Sequence, residues 1–316
     1  MKIELQTRLE SILQLARKQD WEAESFSVEK AQVCAKLSSI VYEDVQEYEL
    51  KNASRIHLFA SDTFRSYVKK GKTNSLLTLL KNVNLEAKFF ISRGRDAVIF
   101  GTIFKNVVIL AVRGTVRRNL WDWKTNIDTQ KYYVKGGILK FYPFYFSSTD
   151  LDDQFFHRGF FESVVPQFAS IADAIKQNTK AESIDKLKIV WTGHSLGGAM
   201  AAIGYAMHKS SQILLADKMP GKAVSAYTFG MPRYCGLGII CNFESPYHIY
   251  IKQDIVPTLP LRKMGFTDGC NEYELQESGH LSLSVRTDSF GVAGHIPKLL
   301  SSIKAHSIEG YATLLS

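Results

Sequence analysis

The segment KIVWTGHSLGGAM, residues 188–200, places Ser195 at the centre of the pattern G-x-S-x-G, between Gly193 and Gly197. A serine hydroxyl is a weak nucleophile near neutral pH. The chemistry open to it is acyl transfer assisted by an imidazole base, which a carboxylate orients. The flanks say how such a hydroxyl would be presented. Leu187, Ile189, Val190 and Trp191 make a short apolar run, as in a buried parallel strand, and Ala199 to His208 is rich in Ala and Met, which suits a closely packed helix. A residue between such a strand and helix is forced into strained geometry, so its neighbours must be small. The two glycines meet that need, whereas a merely structural bend requires no strand, serine and helix in that order. The first N–H groups of the helix would also face the turn and stabilise negative charge there.

The base and the acid must come from elsewhere in the chain. Where such an elbow supplies the serine, the carboxylate and then the histidine follow it in sequence. Of eight histidines, His280, His295 and His306 come late enough. Asp254, in YIKQDIVPTLP, follows the apolar run Tyr247–Ile251 and so sits at the C-terminal edge of a strand, where catalytic groups of open α/β sheets collect. Pro257 and Pro260 would stiffen its loop. Asp268 and Asp288 lie in Gly- and Ser-rich turns, where turn capping is the expected role. Spacing alone leaves two bases open, His306 in AHSIEGY and His295 in GVAGHIPKLL; His280, in a Ser-rich polar stretch, ranks third.

The elements that must position these groups follow from periodicity. Residues 1–50 read as two helices, the second from about Val28 to Tyr42 with Ala31, Cys34, Leu37, Ser38 and Val41 on one face. A short helix is expected at Leu76–Leu80, then strands at Lys88–Ser92, Ala97–Phe104 and Val107–Val112, the last two joined by the two-residue turn Lys105-Asn106. Phe160 to Lys180 reads as one long amphipathic helix. Further strands are expected at Ala223–Phe229 and Tyr247–Lys252, then an irregular Cys- and Gly-rich stretch to Phe290, and a final helix from Ile296 to Leu315. Strands alternating with helices after residue 107 imply an α/β fold, a mainly parallel sheet with helices on both faces. No Pro/Gly/Ser-rich linker divides the chain, so one domain spanning 1–316 is expected, with residues 1–85 as a helical extension packed on the core.

Composition bounds the function classes. A hydrophobic fraction of 45% with 22% charged residues is ordinary for a soluble globular protein with a full core. The net charge of +8 points to anionic surfaces, but the basic residues are scattered and no nucleic-acid-binding signature accompanies them, so no nucleic-acid partner is expected. Cys34, Cys235, Cys241 and Cys270 show no CxxC pair and no metal spacing, and are expected as buried reduced thiols, although a Cys235–Cys241 disulfide is conceivable. The N-terminal segment MKIELQTRLESILQLARKQDW lacks the continuous apolar core of a signal peptide, and no stretch approaches the about 18 apolar residues of a membrane span, so the expected location is cytoplasmic, with export by a route that leaves no N-terminal mark as the alternative.

Five segments together carry a family likeness: VRGT at 112–115, HRGF at 157–160, GHSLGGA at 193–199, TFGMPR at 228–233 and DIVPTLP at 254–260. In content and order they resemble the class 3 lipases, fungal-lipase-like α/β-hydrolases, over about residues 88 to 316. The segment HSIEGY at 306–311 resembles that family's terminal histidine followed by a tyrosine, which favours His306 over His295. The resemblance implies an oxyanion hole formed by Thr115 and the backbone N–H of Leu196, each donor contributing on the order of 3 kcal/mol. It also implies a lid over 116–156, to which Trp121, Trp123 and the run FYPFYF would belong, with His194 as a further residue on the substrate side. The implied activity is hydrolysis of lipid acyl esters by a Ser195–His306–Asp254 triad through an acyl-enzyme, with no cofactor or metal, and with peripheral contact at a lipid interface. The alternative is a signalling or scaffolding protein that keeps the fold without the chemistry; such proteins lose a triad member, and all three are present here.

Overall fold

Strand β1 (Lys88–Arg93), β2 (Ala97–Phe104) and β3 (Val107–Gly114) form an antiparallel meander. All of β2 and all but the last residue of β3 are buried, which is why these runs are continuously apolar rather than alternating. The computed structural model describes residues 2–47, 50, 66, 67, 69–81, 85–94, 96–114, 130–134, 153–214, 219–286, 302 and 305–316. Beyond β3 the sheet becomes parallel through β6 (Lys188–His194), β7 (Lys222–Phe229), β8 (Tyr247–Tyr250) and β9 (Asn271–Leu275), and it ends on antiparallel β10 (Leu281–Leu283). The order is β1-β2-β3-β6-β7-β8-β9-β10; β4 (Lys131–Tyr133) and β5 (Phe155–His157) pair separately.

Parallel neighbours require crossovers; helices supply those from β3 to β8, and the one from β8 to β9 carries only 3-10 turns at Val256–Thr258 and Arg262–Met264. Helices α1 (Lys2–Ala16), α2 (Val28–Ile40) and α3 (Leu76–Leu80) precede the sheet. Helices α4 (Arg158–Val164) and α5 (Phe168–Asn178) lie between β3 and β6, α6 (Leu196–Leu214) between β6 and β7, α7 (Leu237–Asn242) between β7 and β8, and α8 (Ile308–Leu314) closes the chain. Alternate strand residues serve two cores. Val98, Phe100, Ile109 and Ala111 pack with Leu9, Ala31, Leu37 and Tyr311, on the side of α1, α2 and α8. Ile99, Val108, Leu110 and Val112 pack with Phe160, Ile171 and Ile203, on the side of α4, α5 and α6. The N-terminal helices therefore share one hydrophobic core with the sheet and with α8.

Four expectations need correction. The helix expected over Phe160–Lys180 is two helices separated by a 3-10 turn at Val165–Gln167, because Pro166 has no N–H to continue the ladder. The stretch expected to be irregular contains the β9–β10 hairpin, whose half-buried, Asn- and Glu-bearing strands lack a strong apolar pattern. The final helix is interrupted: Ser307 is extended and α8 starts only at Ile308, so His306 stands at a break rather than inside a helix. Of the cysteines, Cys34 and Cys235 are buried but Cys241 and Cys270 are exposed, and all four are free. Among the described residues, no helix is long and apolar enough to cross a membrane.

Candidate active site

β6 ends at His194 and α6 begins at Leu196, so Ser195 alone makes the turn, with φ at +57°. For a non-glycine residue this left-handed conformation is strained, and the surroundings hold it. Ser195 N donates to Phe229 O at 2.9 Å, and Ser195 O accepts from Gly198 N at 2.9 Å. The flanking glycines are required by contact. A Cβ on Gly193 would lie 2.4 Å from Gly197 O, and one on Gly197 would lie 2.1 Å from Val112 O. Strand β3, the elbow and α6 thus interlock backbone against backbone.

Two distant segments bring a carboxylate and an imidazole to this hydroxyl. His306 Nε2 lies 2.8 Å from Ser195 Oγ, and His306 Nδ1 lies 2.7 Å from Asp254 Oδ2. All three residues are at most 5% exposed. A carboxylate only accepts, so Nδ1 carries the proton toward Asp254 and Nε2 is left to take one from the serine. Asp254 is itself fixed: Oδ1 accepts from Val256 N at 2.9 Å, and Oδ2 accepts from Tyr311 Oη at 2.8 Å. The same phenol accepts from Ile251 N at 3.1 Å. Burial, with Asp254 beside it, pushes the Tyr311 pKa well up and keeps it a donor. The break before α8 is tied to the acid loop through Ser302, whose Oγ accepts from Ile255 N at 2.9 Å and whose carbonyl accepts from His306 N at 3.0 Å. Gly230, at φ +53°, lets this cluster close, since a Cβ there would lie 2.6 Å from Asp254 Oδ2 and 3.2 Å from His306 Nδ1.

Leu196 is the first residue of α6, so its N–H is among those with no intrahelical acceptor. The end of β3 lies against it: a Cβ on Gly114 would be 3.0 Å from Leu196 Cβ. Thr115, Trp121, Trp123 and His295 lie outside the described residues, as does most of 116–156, where only 130–134 and 153–156 are described. His280 is exposed beside β10, on the far side of the hairpin turn from β9, and has no part in the cluster.

His194 corrects the expectation of a residue on the substrate side. It is 1% exposed, with Nε2 at 2.6 Å from the carbonyl oxygen of His306 and Nδ1 at 3.1 Å from Tyr42 Oη. Strand alternation explains this: His194 shares a face with Thr192, whose hydroxyl meets Ser38 of α2 at 3.1 Å. A carbonyl only accepts, so Nε2–H donates to it and the Tyr42 hydroxyl donates to Nδ1. Burial first, and then neighbouring His306, depress the His194 pKa well below the ordinary value and hold the ring neutral. Tyr42, Gly230, Ser302 and Tyr311 are the site residues that sequence reasoning did not assign. Gly230 and Tyr311 did stand in the quoted motifs TFGMPR and HSIEGY, without a role. Among the described residues, no group of three or more His, Cys, Asp or Glu is placed to hold a metal ion.

A family model described as Lipase (class 3) matches residues 109–264, a span that includes Ser195 and Asp254. Triacylglycerol lipase OBL1 of Arabidopsis thaliana is 24% identical to this chain, covering 57% of it and 38% of that protein, so the chain spans well under half of that relative's length. A mono- and diacylglycerol lipase from Aspergillus oryzae has a similar structure, with a TM-score of 0.53 at 16% identity, covering 89% of this chain and 96% of that one. A Rhizomucor miehei lipase in a propeptide complex gives a TM-score of 0.50 at 16% identity, covering 91% and 78%. At such identities the structural likeness shows the fold, an α/β-hydrolase with a central sheet covered by helices.

Proposed function

Because this chain belongs to the class 3 lipase family, we propose that it is a serine carboxylic ester hydrolase acting on lipid acyl esters. The observation that carries the reading is the line from Ser195 Oγ to His306 Nε2 at 2.8 Å and from His306 Nδ1 to Asp254 Oδ2 at 2.7 Å. Ser195 Oγ attacks the ester carbonyl while His306 takes its proton, and Asp254 stabilises the imidazolium that results. The oxyanion is met by the Leu196 N–H and, by family resemblance, by Thr115. His306 then returns the proton to the departing alcohol. Water, deprotonated by the same imidazole, attacks the acyl-enzyme and frees the fatty acid and Ser195.

Acylglycerols and phospholipids both present the acyl ester this machinery takes. The name of the Arabidopsis relative makes triacylglycerol the first substrate to try. The net charge of +8 favours an anionic lipid interface as the place of encounter. The experiment is a panel of p-nitrophenyl esters, triacylglycerol emulsions and phospholipid vesicles, assayed with the wild-type chain and Ser195→Ala. Acyl release by the wild type and none by the variant is the expected result. Release that survives Ser195→Ala, or none from any substrate, contradicts the reading.

A further inference from the structure

Behind the Asp254 loop lies a charge cluster that the triad does not use. Its centre is Asp268, expected from sequence to cap a turn and instead shared by three arginines. Oδ1 accepts from Arg233 Nε at 2.7 Å and from Arg286 Nη2 at 2.6 Å, and Oδ2 accepts from Arg262 Nε at 3.2 Å and from Arg262 Nη2. The guanidiniums are not merely neutralised there. Arg233 Nη1 donates to Thr258 O at 2.6 Å and to Pro260 O at 2.9 Å, Arg233 N donates to Leu259 O at 2.6 Å, and Arg286 Nη1 donates to Pro257 O. Every carbonyl from Pro257 to Pro260 is therefore held by Arg233 or Arg286.

The cluster reaches the other loop of the site as well. Arg286 Nε lies 2.9 Å from Glu272 Oε2, and His248 Nδ1–H donates to that same oxygen at 2.9 Å. His248 Nε2 accepts from Met231 N at 3.0 Å, one residue after the Gly230 that packs against Asp254 and His306. One set of charges, buried at Arg233 and Glu272, thus ties 230–233 to 257–260. A carboxylate that aligns two guanidiniums on a loop's carbonyls fixes that loop in position and in twist. Arg233 is only 2% exposed, so it cannot turn to water if Asp268 stops holding it.

We propose that Asp268 is a positioning residue for the triad: by locking Arg233 and Arg286 onto the 257–260 carbonyls, it sets the aim of the Asp254 carboxylate at His306. Asp254 stands three residues before Pro257, and its Oδ1 is bound to Val256 N inside the same turn. A shift of the loop therefore moves the carboxylate, and a misplacement of about 1 Å can cost roughly 100-fold in rate. The inference rests on the ester-hydrolase reading.

The experiment compares the full chain with Asp268→Asn on p-nitrophenyl butyrate, a soluble ester. The active fraction is counted by stoichiometric fluorophosphonate labelling. Per labelled molecule, kcat should fall about 10- to 100-fold with KM within about twofold. The acid limb of kcat/KM should move to lower pH, because an imidazolium with a misaligned carboxylate is less stabilised. Asp268→Glu should restore part of kcat. A second readout needs no turnover: the downfield proton resonance of the His306 Nδ1–H, abolished by Asp254→Asn, should broaden or move upfield in Asp268→Asn.

Should Asp268→Asn fail to fold, Arg262→Gln removes a half-exposed partner of the same carboxylate. It should show the same signature with kcat lower by about threefold. Unchanged kcat and an unchanged downfield proton in the folded variant overturn the proposal. So does a rate loss that follows the labelled fraction with the pH limb and the proton unmoved, which would make the cluster structural only. A wild-type chain inert on every ester defeats the hydrolase reading instead, and the proton resonance still decides whether Asp268 aims Asp254.

Discussion

Ser195 and His306 meet at 2.8 Å, yet the chain delivers them by different means. The nucleophile side is built locally: β6, one strained residue and α6 are consecutive, and Gly193 and Gly197 provide the clearance. The acid–base side is assembled from afar. Asp254 is aimed by Tyr311, 57 positions later, Ile255 is held by Ser302, 47 later, and Arg233 is locked by Asp268, 35 later. One side stores its geometry in backbone contact that only glycine permits; the other stores it in buried hydrogen bonds and charges. Damage to the first should appear as loss of fold or of the nucleophile, and damage to the second as graded loss of rate in a folded protein.

The largest effect should come from Ser195→Ala, with ester hydrolysis lower by on the order of 10^4-fold or more and the thermal melt unchanged. Next is Asp254→Asn, which keeps the shape but turns the imidazole toward the wrong tautomer; kcat should fall by roughly 10^4-fold. Gly197→Ala breaks the comparison from the other side. Its Cβ would be driven to within 2.1 Å of Val112 O, where no flexible atom can yield. Destabilisation on the order of 3 kcal/mol or an insoluble product is expected, read by urea unfolding. Tyr311→Phe is milder. It leaves Ile251 N–H and Asp254 Oδ2 without that partner, and kcat should fall about tenfold with KM little changed.

Acid should strike the two sides differently. On the nucleophile side, burial lowers the pKa of His208 in α6 to about 4, and Trp191 Nε1 of β6 donates to its Nδ1 at 3.3 Å. An unfolded histidine takes up its proton below about pH 6.5 whereas folded His208 does not. Its contribution is thus complete above that pH and is lost as pH falls from there toward 4, about 2 kcal/mol by pH 5. His194 acts in the same direction. On the acid–base side, burial raises the Asp268 carboxyl, but Arg286 and Arg233 outweigh it and leave its pKa below the usual value. That contribution is complete above the ordinary aspartate pKa of about 3.9 and is lost only as pH falls from there to the lowered value, well below the window in which His208 acts. Urea midpoints at pH 7 and pH 5 should therefore differ less in His208→Gln than in the wild type. An identical pH dependence would remove His208 from the account.

The same division decides what could be read from the sequence. Ser195 with its glycines, the strand before it and the helix after it form one contiguous pattern, and strands β1 to β3 read as continuous apolar runs bounded by turns. Asp254 announced itself by following an apolar strand. His306 needed the family likeness, because nothing local separates it from His295. Ser302 and Asp268 carry no local mark, and Tyr311 none beyond its place in HSIEGY, since their partners lie 35 to 57 positions away. His194 was misread because β alternation points it at Tyr42 and the His306 carbonyl, a direction that motif position alone does not convey. Pro166 was visible in the supposed long helix, and its missing N–H was outweighed by amphipathic spacing on either side.

The central claim is that His306 activates Ser195. It is tested most directly by a fluorophosphonate probe at neutral pH, with the modified peptide located by mass spectrometry in the wild type, His306→Ala and His295→Ala. The account predicts rapid labelling of Ser195 in the wild type and in His295→Ala, and labelling slower by orders of magnitude in His306→Ala. Equal labelling in all three, or loss confined to His295→Ala, would contradict it.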